Sequence, residues 1–302
     1  PSDRAIIDST PLVTTFHSLG VRLLKEFHES LNLRRHFVIY DRSDSQKAIK
    51  QALEKVGYSP KEFEPRKILS LISRAKGDAT SVLSYKDSAS SFFEEVVADV
   101  WEAYETILRQ EHALDFDDLL VKTLRLLEDN SAVRTQLQNR FQYIHVDEFQ
   151  DTNRVQFKIV ELLTNEHNNI CVVGDIDQNI YSWRGADIKN VLQFEKHFRD
   201  THTILLEENY RSTGTIIAAS NEVIKKNQHR VDKTVFTNND EGDKITLYPA
   251  MTGNDEADYV ATCAQKLINE GVEPASIAVL YRTNFQSRVL EESFLNHSVP
   301  YQ

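Results

Sequence analysis

YIHVDEFQD, residues 143–151, places a short apolar run directly before a group of acidic and amide side chains. The β-branched and aromatic residues of Tyr143–Val146 predict a buried strand. The polar side chains behind it are Asp147, Glu148, Gln150 and Asp151. Carboxylates that crowd one strand end repel one another unless a cation lies between them. The stretch therefore predicts a cation site, and the alternative is an N-cap cluster for a helix that begins near Asn153.

Short strands and helices alternate along the chain after Phe141. The predicted strands are Tyr143–Val146, Ile170–Val173, Ile204–Leu206, Ile245–Tyr248 and Ile277–Tyr281. The predicted helices are Val155–Leu163, Ile188–Phe194, Ile216–Ile224, Asp255–Ile268 and Arg288–Leu295. Strands separated by helices predict an α/β fold with a mostly parallel sheet, whose ligand sites gather at the carboxyl ends of the strands. Asp147, Asp175 and Glu207 stand at such ends.

The segment from Asp41 to Glu128 has an almost wholly helical pattern. Ser43 or Asp44 is predicted to cap its first helix, which Gly57 and Pro60 end. A longer helix follows, with an apolar face made of Phe92, Phe93, Val96, Val97, Val100, Trp101, Tyr104, Ile107 and Leu108. A stripe of aromatic residues is one form of binding surface, but this helical spacing favours core packing.

The composition is that of a globular protein, with 40% hydrophobic and 27% charged residues among 302. This length allows two or three domains. No run of about 18 apolar residues occurs, so no membrane span is predicted. The net charge of −11 argues against nonspecific coating of nucleic acid but leaves room for a local basic groove. Cys171 and Cys263 lack metal-ligand spacing and are predicted to be buried, reduced thiols of a cytoplasmic protein, with Cys171 inside an apolar strand.

Two further segments place polar and aromatic side chains after a predicted strand. CVVGDIDQNIYSWRGAD, residues 171–187, contains Gln178, an amide placed to sense a γ-phosphate or to position its water. Aromatic side chains beside an arginine suit single-stranded nucleic acid, because rings stack on bases and a guanidinium meets a phosphate. In this segment they are Tyr181, Trp183 and Arg184. LLEENYRST, residues 205–213, offers Tyr210 as a stacking surface and Arg211 as a charge for phosphate.

Three of these segments, VDEFQD, VVGDIDQNIYSWRGAD and LEENYRST, resemble motifs II, III and IV of the superfamily 1 DNA helicases of the UvrD/Rep/PcrA group. TTFHSLGVRLL is similar to motif Ib of that family, LDFDDLL to the helix before motif II, and IAVLYRTNFQSRVLEE to a motif of the second motor domain. The motifs follow the family's order over the whole chain. The resemblance implies two RecA-like motor domains with an α-helical insertion, ATP in the cleft between the motor domains, and single-stranded DNA across them.

The resemblance also implies roles for residues around the nucleotide. Asp147 would bind Mg²⁺, and Glu148 would be the catalytic base. Gln178 would couple the γ-phosphate of ATP to DNA. Tyr210 would stack on the adenine, and Arg211 would reach the γ-phosphate as an arginine finger.

Other residues are implied to contact DNA or to connect the two sites. The DNA contacts would be Thr15, His17, Tyr181, Trp183, Arg184, Arg282 and Asn284. By itself His17 would more often be a structural histidine, and its place in the motif is what favours a DNA contact. Gln150 and Asp151 would link the ATP and DNA sites. The implied partners are single-stranded DNA and junctions between single strands and duplex.

Several family motifs are absent from these 302 residues: the phosphate-binding loop with the adenine-recognising glutamine segment before it, and the motifs that follow the second-domain insertion. No G-x-x-x-x-G-K-[ST] occurs, and no glycine is followed by lysine, so the chain lacks a phosphate-cradling loop with its lysine. The chain is therefore expected to be an internal part of a helicase. Residues 1–25 would end the N-terminal part of the first motor domain, and 26–140 would be the helical insertion. Residues 141–206 would complete the first motor domain, and 207–302 would begin the second.

The leading hypothesis is an ATP-driven 3′→5′ DNA translocase and helicase of repair or replication restart, with the polarity implied by the resemblance alone. One alternative is a helicase–nuclease subunit of the recombination type, which shares these motifs. The other is a non-catalytic DNA-binding module that lacks the phosphate-binding loop.

Overall fold

The computed structural model describes residues 10–164, 168–180, 185–227 and 233–302. Unit 1 contains the described residues up to Leu205 together with Asn227, and unit 2 contains Leu206–Lys226 and Lys233–Gln302. Within the described ranges no helix has both the length and the apolar character that crossing a membrane requires.

Unit 1 is mainly helical, and most of its helices begin at side-chain caps. They are α1 (Phe16–Glu26), α2 (Arg42–Lys55), α3 (Pro65–Gly77), α4 (Val82–Ser88), α5 (Phe92–Gln110), α6 (Phe116–Asp129), α7 (Ser131–Arg140), α8 (Arg154–Leu163), α9 (Lys189–Leu192) and α10 (Phe194–His197). Ser91, Asp115 and Asn153 form capping boxes before α5, α6 and α8. Each box satisfies amide groups that the first helical turn leaves without a partner.

Two pairs of parallel strands accompany these helices. β1 (Val38–Ile39) pairs with β2 (Ala113–Leu114), and β3 (Ile144–Val146) pairs with β4 (Ile170–Val172). In the second pair, Val146 lies opposite Val172. The loops that follow β3 and β4 therefore begin side by side. The predicted parallel arrangement is confirmed for these two strands.

The helices of unit 1 enclose separate apolar cores. Helices α2, α3 and α5 form one core, in which Trp101 is 2% and Tyr104 0% exposed. Helices α1, α6, α7 and α8 form another. Core packing is thus confirmed for Trp101 and Tyr104. It is wrong for Phe92, which is 64% exposed. Phe92 opens the first turn of α5, and its ring meets those of Tyr58 and Phe63 at a steep angle.

A buried ion cluster joins α3, α5 and α6. The Lys76 Nζ lies 2.8 Å from Glu105 Oε1 and 2.9 Å from one carboxylate oxygen each of Asp115 and Asp118. The Tyr104 hydroxyl donates to Asp115 at 3.0 Å. Burial opposes the charge of Lys76, but the three carboxylates raise its pKa well above the ordinary value. The LDFDDLL segment therefore supplies two of the three carboxylates of a structural junction.

We expect Asp117, beside this cluster, to make the stability of unit 1 depend on pH. Burial and then the charge of Asp115 raise the pKa of Asp117 to about 6. The folded state thus holds a proton that the unfolded state releases at lower pH, and stability falls as pH rises from about 4 to about 6. Asp117→Asn should remove this loss. The difference in free energy of unfolding between the variant and wild type should therefore favour the variant by about 1–3 kcal/mol more at pH 7.5 than at pH 4. Urea denaturation of both proteins across this range measures the difference.

An Asp117→Asn effect that is the same at pH 4 and pH 7.5 would contradict this prediction. Asp129→Asn is a suitable control, because Asp129 is an exposed carboxylate at the other end of the same helix.

Unit 2 is built on α11 (Gly214–Ile224), α12 (Gly253–Asn269) and α13 (Phe285–Asn296). Helices α12 and α13 pack together through small side chains, and the Ser293 hydroxyl donates to Asp258 at 2.7 Å across them. Glu208, which precedes α11, and Phe236, which follows it, form an isolated parallel bridge. This bridge holds the segment around residue 208 against the segment around residue 236.

Three strand predictions in the chain are wrong. Ile204–Leu206, Ile245–Tyr248 and Ile277–Tyr281 form no ladder within the described residues. Apolar β-branched runs favour extended backbone locally, but a strand also needs a neighbour that accepts and donates its hydrogen bonds. Glu207 accordingly follows no strand.

Other local predictions are corrected by packing. The cap of α2 is Asp41, whose carboxylate accepts from the Asp44 amide at 2.8 Å, so the predicted caps Ser43 and Asp44 are wrong. The predicted helix Ile188–Phe194 is split into α9 and α10 at Gln193. The split lets Phe194 pack into the core, where its ring lies 5.5 Å from that of Phe149.

The predicted burial of Cys171 is also wrong, because this residue is exposed. Its neighbours Ile170 and Val172 face the core under the sheet. Side chains alternate across a strand, so Cys171 points to the other face together with its exposed partner His145. The described residues leave that face uncovered. Cys263, in α12, is half-buried.

Candidate active site

Two acidic side chains stand in solvent where β3 ends. Val146, the last strand residue, is buried, whereas Asp147 and Glu148 are exposed. Glu148 has φ 50° and ψ 43°, a left-handed conformation that few non-glycine residues adopt. Its amide donates to Asp147 Oδ1 at 2.9 Å. Such a turn ends the strand abruptly and presents both carboxylates at its tip.

Gln150 lies beneath these carboxylates and is 1% exposed. Its Nε2 donates to Glu148 Oε2 at 2.8 Å, and its Oε1 accepts from the Asp175 amide at 3.0 Å. Its backbone oxygen accepts from Asn179 Nδ2 at 2.6 Å. Gln150 therefore ties the loop after β3 to the loop after β4.

The loop after β4 carries Gln178 on the same edge of the sheet. Its Nε2 donates to Asp175 Oδ2 at 2.9 Å, and Asp175 Oδ1 accepts from the Asp177 amide at 3.0 Å. Gln178 is exposed. Because the Asp175 amide also donates to Gln150, hydrogen bonds connect Glu148 with Gln178 through Gln150 and Asp175.

Gly174 makes this close approach of the two loops possible. A Cβ at this position would lie 2.6 Å from Gln150 Oε1 and 3.3 Å from the amide nitrogens of Phe149 and Gln150. Sequence reasoning placed Asp175 at a strand end, where ligand sites gather, but gave no role to Gly174 or Asn179. The available signal was their position directly after a strand, next to the Gln178 that it singled out.

Asp151 closes the turn behind Gln150. Burial and the nearby charge of Glu148 raise the pKa of its carboxyl. Its Oδ1 is buried and has no hydrogen-bond partner among the residues that the structure describes. The next residue, Thr152, is anchored by Asn190, whose Nδ2 donates to the Thr152 carbonyl at 2.9 Å. Gln150 and Thr152, the residues on either side of Asp151, are thus both held by hydrogen bonds.

The donor set at the strand end suits Mg²⁺ that is bound together with a nucleotide. No group of three or more His, Cys, Asp or Glu side chains in the described ranges is arranged to hold a metal ion. Mg²⁺ held with a triphosphate needs only one or two carboxylates, because water and phosphate oxygens supply the remaining ligands. Asp147 fits this requirement, since its Oδ1 accepts from the Glu148 amide and the residue is exposed.

Only some of the candidate DNA-contact residues of unit 1 lie among the residues that the structure describes. Thr15 is exposed, and its hydroxyl caps α1 by accepting from the Ser18 amide at 3.2 Å. His17 is half-buried, its ring meets that of Phe116 edge-on at 5.7 Å, and burial lowers its pKa. Tyr181, Trp183 and Arg184 lie outside the described residues. The DNA contacts of all five stay predictions.

In unit 2, a turn exposes Tyr210 and Arg211. Asn209 Oδ1 accepts from the amides of Arg211 and Ser212 at 3.0 and 2.8 Å. Tyr210 is 77% exposed and donates its hydroxyl to Glu208 at 2.7 Å, an interaction that raises the phenol pKa. Arg211 is exposed and has no ion pair among the residues that the structure describes. Its guanidinium thus stands open to an anion.

Arg282 and Asn284 stand before α13 and are exposed. Asn284 precedes the helix without a side-chain cap, and its carbonyl accepts from the Ser287 hydroxyl at 2.9 Å. Asp147, Glu148, Gln150, Asp151 and Gln178 are brought together in unit 1. Tyr210, Arg211, Arg282 and Asn284 belong to unit 2.

Two family models together match most of the chain. Residues 7–199 match the UvrD/REP helicase N-terminal domain, and residues 204–302 match the UvrD-like helicase C-terminal domain. The ATP-dependent DNA helicases PcrA of Staphylococcus epidermidis and Staphylococcus aureus are each 45% identical to the chain over 289 residues, 96% of it. The chain spans 40% of the length of these curated relatives. With both domain models matched in order, the chain belongs to the UvrD/Rep helicase family, whose motor domains have the RecA-like α/β fold.

Proposed function

We propose that this chain is part of an ATP-dependent DNA helicase that moves 3′→5′ along single-stranded DNA in repair or replication restart. The observation that carries the proposal is the junction at the ends of β3 and β4, where Glu148 and Gln178 are linked through Gln150 and Asp175. The PcrA relatives support it, since they are ATP-dependent DNA helicases by name. Single-stranded DNA and its junctions with duplex are the proposed partners, and the cytoplasm is the proposed location.

The roles proposed for unit 1 are those that the family resemblance implies, and the exposed positions of Asp147, Glu148 and Gln178 after β3 and β4 support them. The exposed Asp147 carboxylate binds Mg²⁺, which arrives with ATP, and the Glu148 carboxylate takes the proton of the attacking water. Gln178 senses the γ-phosphate, and Gln150 and Asp151 connect it with DNA-binding residues. Thr15, His17, Tyr181, Trp183 and Arg184 are the proposed DNA contacts.

In unit 2, the exposed ring of Tyr210 is proposed to stack on adenine, and Arg211 to contact the γ-phosphate. Arg282 and Asn284 are proposed to meet the DNA backbone. The division into 1–25, 26–140, 141–206 and 207–302 is kept as the proposed domain organisation.

A second candidate function has one observation in its favour. The 302 residues contain no G-x-x-x-x-G-K-[ST] motif, so a DNA-binding module without catalysis is the alternative. A helicase–nuclease subunit would share every feature described above, and a nuclease assay on the full-length protein separates it from the simple helicase.

We expect the full-length protein to unwind a duplex with a 3′ single-stranded tail when ATP and Mg²⁺ are present, and to leave a 5′-tailed duplex intact. We expect the 302-residue chain alone neither to hydrolyse ATP nor to unwind DNA. The physical reason is that backbone amides and a lysine normally cradle the triphosphate, and this chain has no such loop. Strand displacement and phosphate release, measured on both proteins, check the two expectations.

Unwinding of only the 5′-tailed duplex would overturn the polarity. A full-length protein that binds DNA without hydrolysing ATP would establish the non-catalytic module. DNA-stimulated turnover by the 302-residue chain, absent from its Glu148→Gln variant, would mean that other residues cradle the phosphates.

A further inference from the structure

We infer that Gln150 is a positioning residue that holds the Glu148 carboxylate at a fixed place relative to the loop after β4. The inference rests on the proposed role of Glu148 as catalytic base. It adds a specific mechanical consequence: hydrolysis depends on the position of residues 174–179 because the Gln150 side chain is the link between that loop and the base.

The first support is that Gln150 uses both ends of its amide. One end donates to Glu148 Oε2 at 2.8 Å and the other accepts from the Asp175 amide at 3.0 Å. The carboxamide of glutamine has a donor and an acceptor on one planar group, whereas the ionised carboxylate of a glutamate, which has the same size, only accepts. The residue is 1% exposed, so water does not compete for these bonds. The amide is therefore chemically suited to this bridge.

The second support is that Glu148 has little else to hold it. Its carboxylate is exposed, and no other side chain in the described part of the chain donates a hydrogen bond to it. An exposed glutamate samples several rotamers, and fixing one of them costs conformational entropy. A base must nevertheless stand within hydrogen-bond reach of the water that it deprotonates. Gln150 restricts Glu148 before any substrate arrives.

The third support is the fit of the loop against the amide. Gly174 leaves room for Gln150 Oε1, where a Cβ would come within 2.6 Å. Phe149 also donates its amide to the Val173 carbonyl at 2.9 Å, so the two backbones are in register beside the amide. A shift of the β4 loop is thus transmitted to Gln150 and from there to Glu148.

The test uses the full-length protein and two substitutions, one on each side of the contact between Gln150 and the loop after β4. Gln150→Leu keeps the approximate volume but removes both hydrogen bonds, and Gly174→Ala adds a methyl group that displaces the loop from Gln150. We expect each to lower the DNA-stimulated kcat by about 10²-fold, the scale of a misplaced catalytic group, while KM for Mg·ATP changes only a few-fold. Steady-state phosphate release against ATP concentration gives both constants.

Matched controls separate positioning from general loss of structure. Gln138 also joins a side-chain amide to backbone, donating to the Leu162 carbonyl at 2.9 Å, and it lies away from the strand ends. Gln138→Leu should leave kcat close to wild type. Gly253 has open space where a Cβ would stand, so Gly253→Ala should be similarly neutral. Circular dichroism melting establishes that each variant is folded at the assay temperature.

A double variant provides the decisive measurement. If Gln150 acts through Glu148, then Gln150→Leu should lower single-turnover hydrolysis in wild type but add almost nothing in a Glu148→Gln background. Equal losses in both backgrounds would overturn the inference while leaving the role of Glu148 intact. So would a folded Gln150→Leu variant with the same kcat as Gln138→Leu. If Glu148→Gln itself hydrolyses ATP like wild type, both the proposed base and the inference are wrong.

Discussion

Replacing Glu148 by glutamine in the full-length protein is expected to lower DNA-stimulated ATP hydrolysis by about 10²–10⁴-fold, the range lost with a positioned general base. The amide keeps the shape of the side chain, so binding of Mg·ATP should stay nearly unchanged. It cannot accept a proton from the attacking water. Phosphate release measures the first quantity, and titration with a fluorescent ATP analogue measures the second.

Glu161→Gln is the matched control, because Glu161 is an exposed glutamate on α8 in the same unit. It should hydrolyse ATP at the wild-type rate. A Glu148→Gln variant within a few-fold of wild type would remove Glu148 from the catalytic step. A large loss in nucleotide binding would instead indicate that this carboxylate binds the metal ion or stabilises the fold.

Lys76→Met is expected to lower the free energy of unfolding of unit 1 by about 3–5 kcal/mol, because it removes the one cation from a buried cluster. Glu105, Asp115 and Asp118 would then face one another without the Nζ that lies 2.8–2.9 Å from each of them. Asp115 and Asp118 are each only 3% exposed, so water cannot solvate their charges. The measurement is urea denaturation of the 302-residue chain, followed by Trp101 fluorescence in a Trp183→Phe background.

Trp101 is a suitable probe, since its indole Nε1 donates to Glu105 at 3.1 Å and its side chain is buried. Lys86→Met is the matched control. The Lys86 Nζ lies 2.9 Å from Asp99 Oδ1, but both side chains are largely exposed, and surface ion pairs contribute little. Equal and small effects of the two substitutions would mean that the buried carboxylates take up protons and that Lys76 is not needed to compensate their charge.

The sequence was sufficient to predict the chemistry-bearing segments and the elements next to them. The apolar run before Asp147 became β3, and the run before Asp175 became its parallel partner β4. The helical pattern from residue 41 to residue 128 became α2 to α6 around one interposed strand. These features depend on local periodicity and capping, which neighbouring residues in the chain encode by themselves.

The predictions that failed depended on partners elsewhere in the chain. Ile245–Tyr248 and Ile277–Tyr281 have the composition of strands, yet in the described residues no neighbouring strand completes a ladder with them. Cys171 has a strand position and a buried sequence context, but only one face of that strand meets a core. Local composition cannot report which face is covered.

The sequence by itself determined which side chains are available at the ends of β3 and β4, because strand, turn and polar residue follow one another directly. Only the tertiary structure decided that Gln150 joins Glu148 to Asp175, 25 residues further along the chain. It also decided that Lys76 pairs with Asp115 and Asp118, which lie 39 and 42 residues away from it. A hydrogen bond or ion pair of this kind needs donor and acceptor within about 3 Å, and only the packing of strands and helices brings residues so distant in sequence that close.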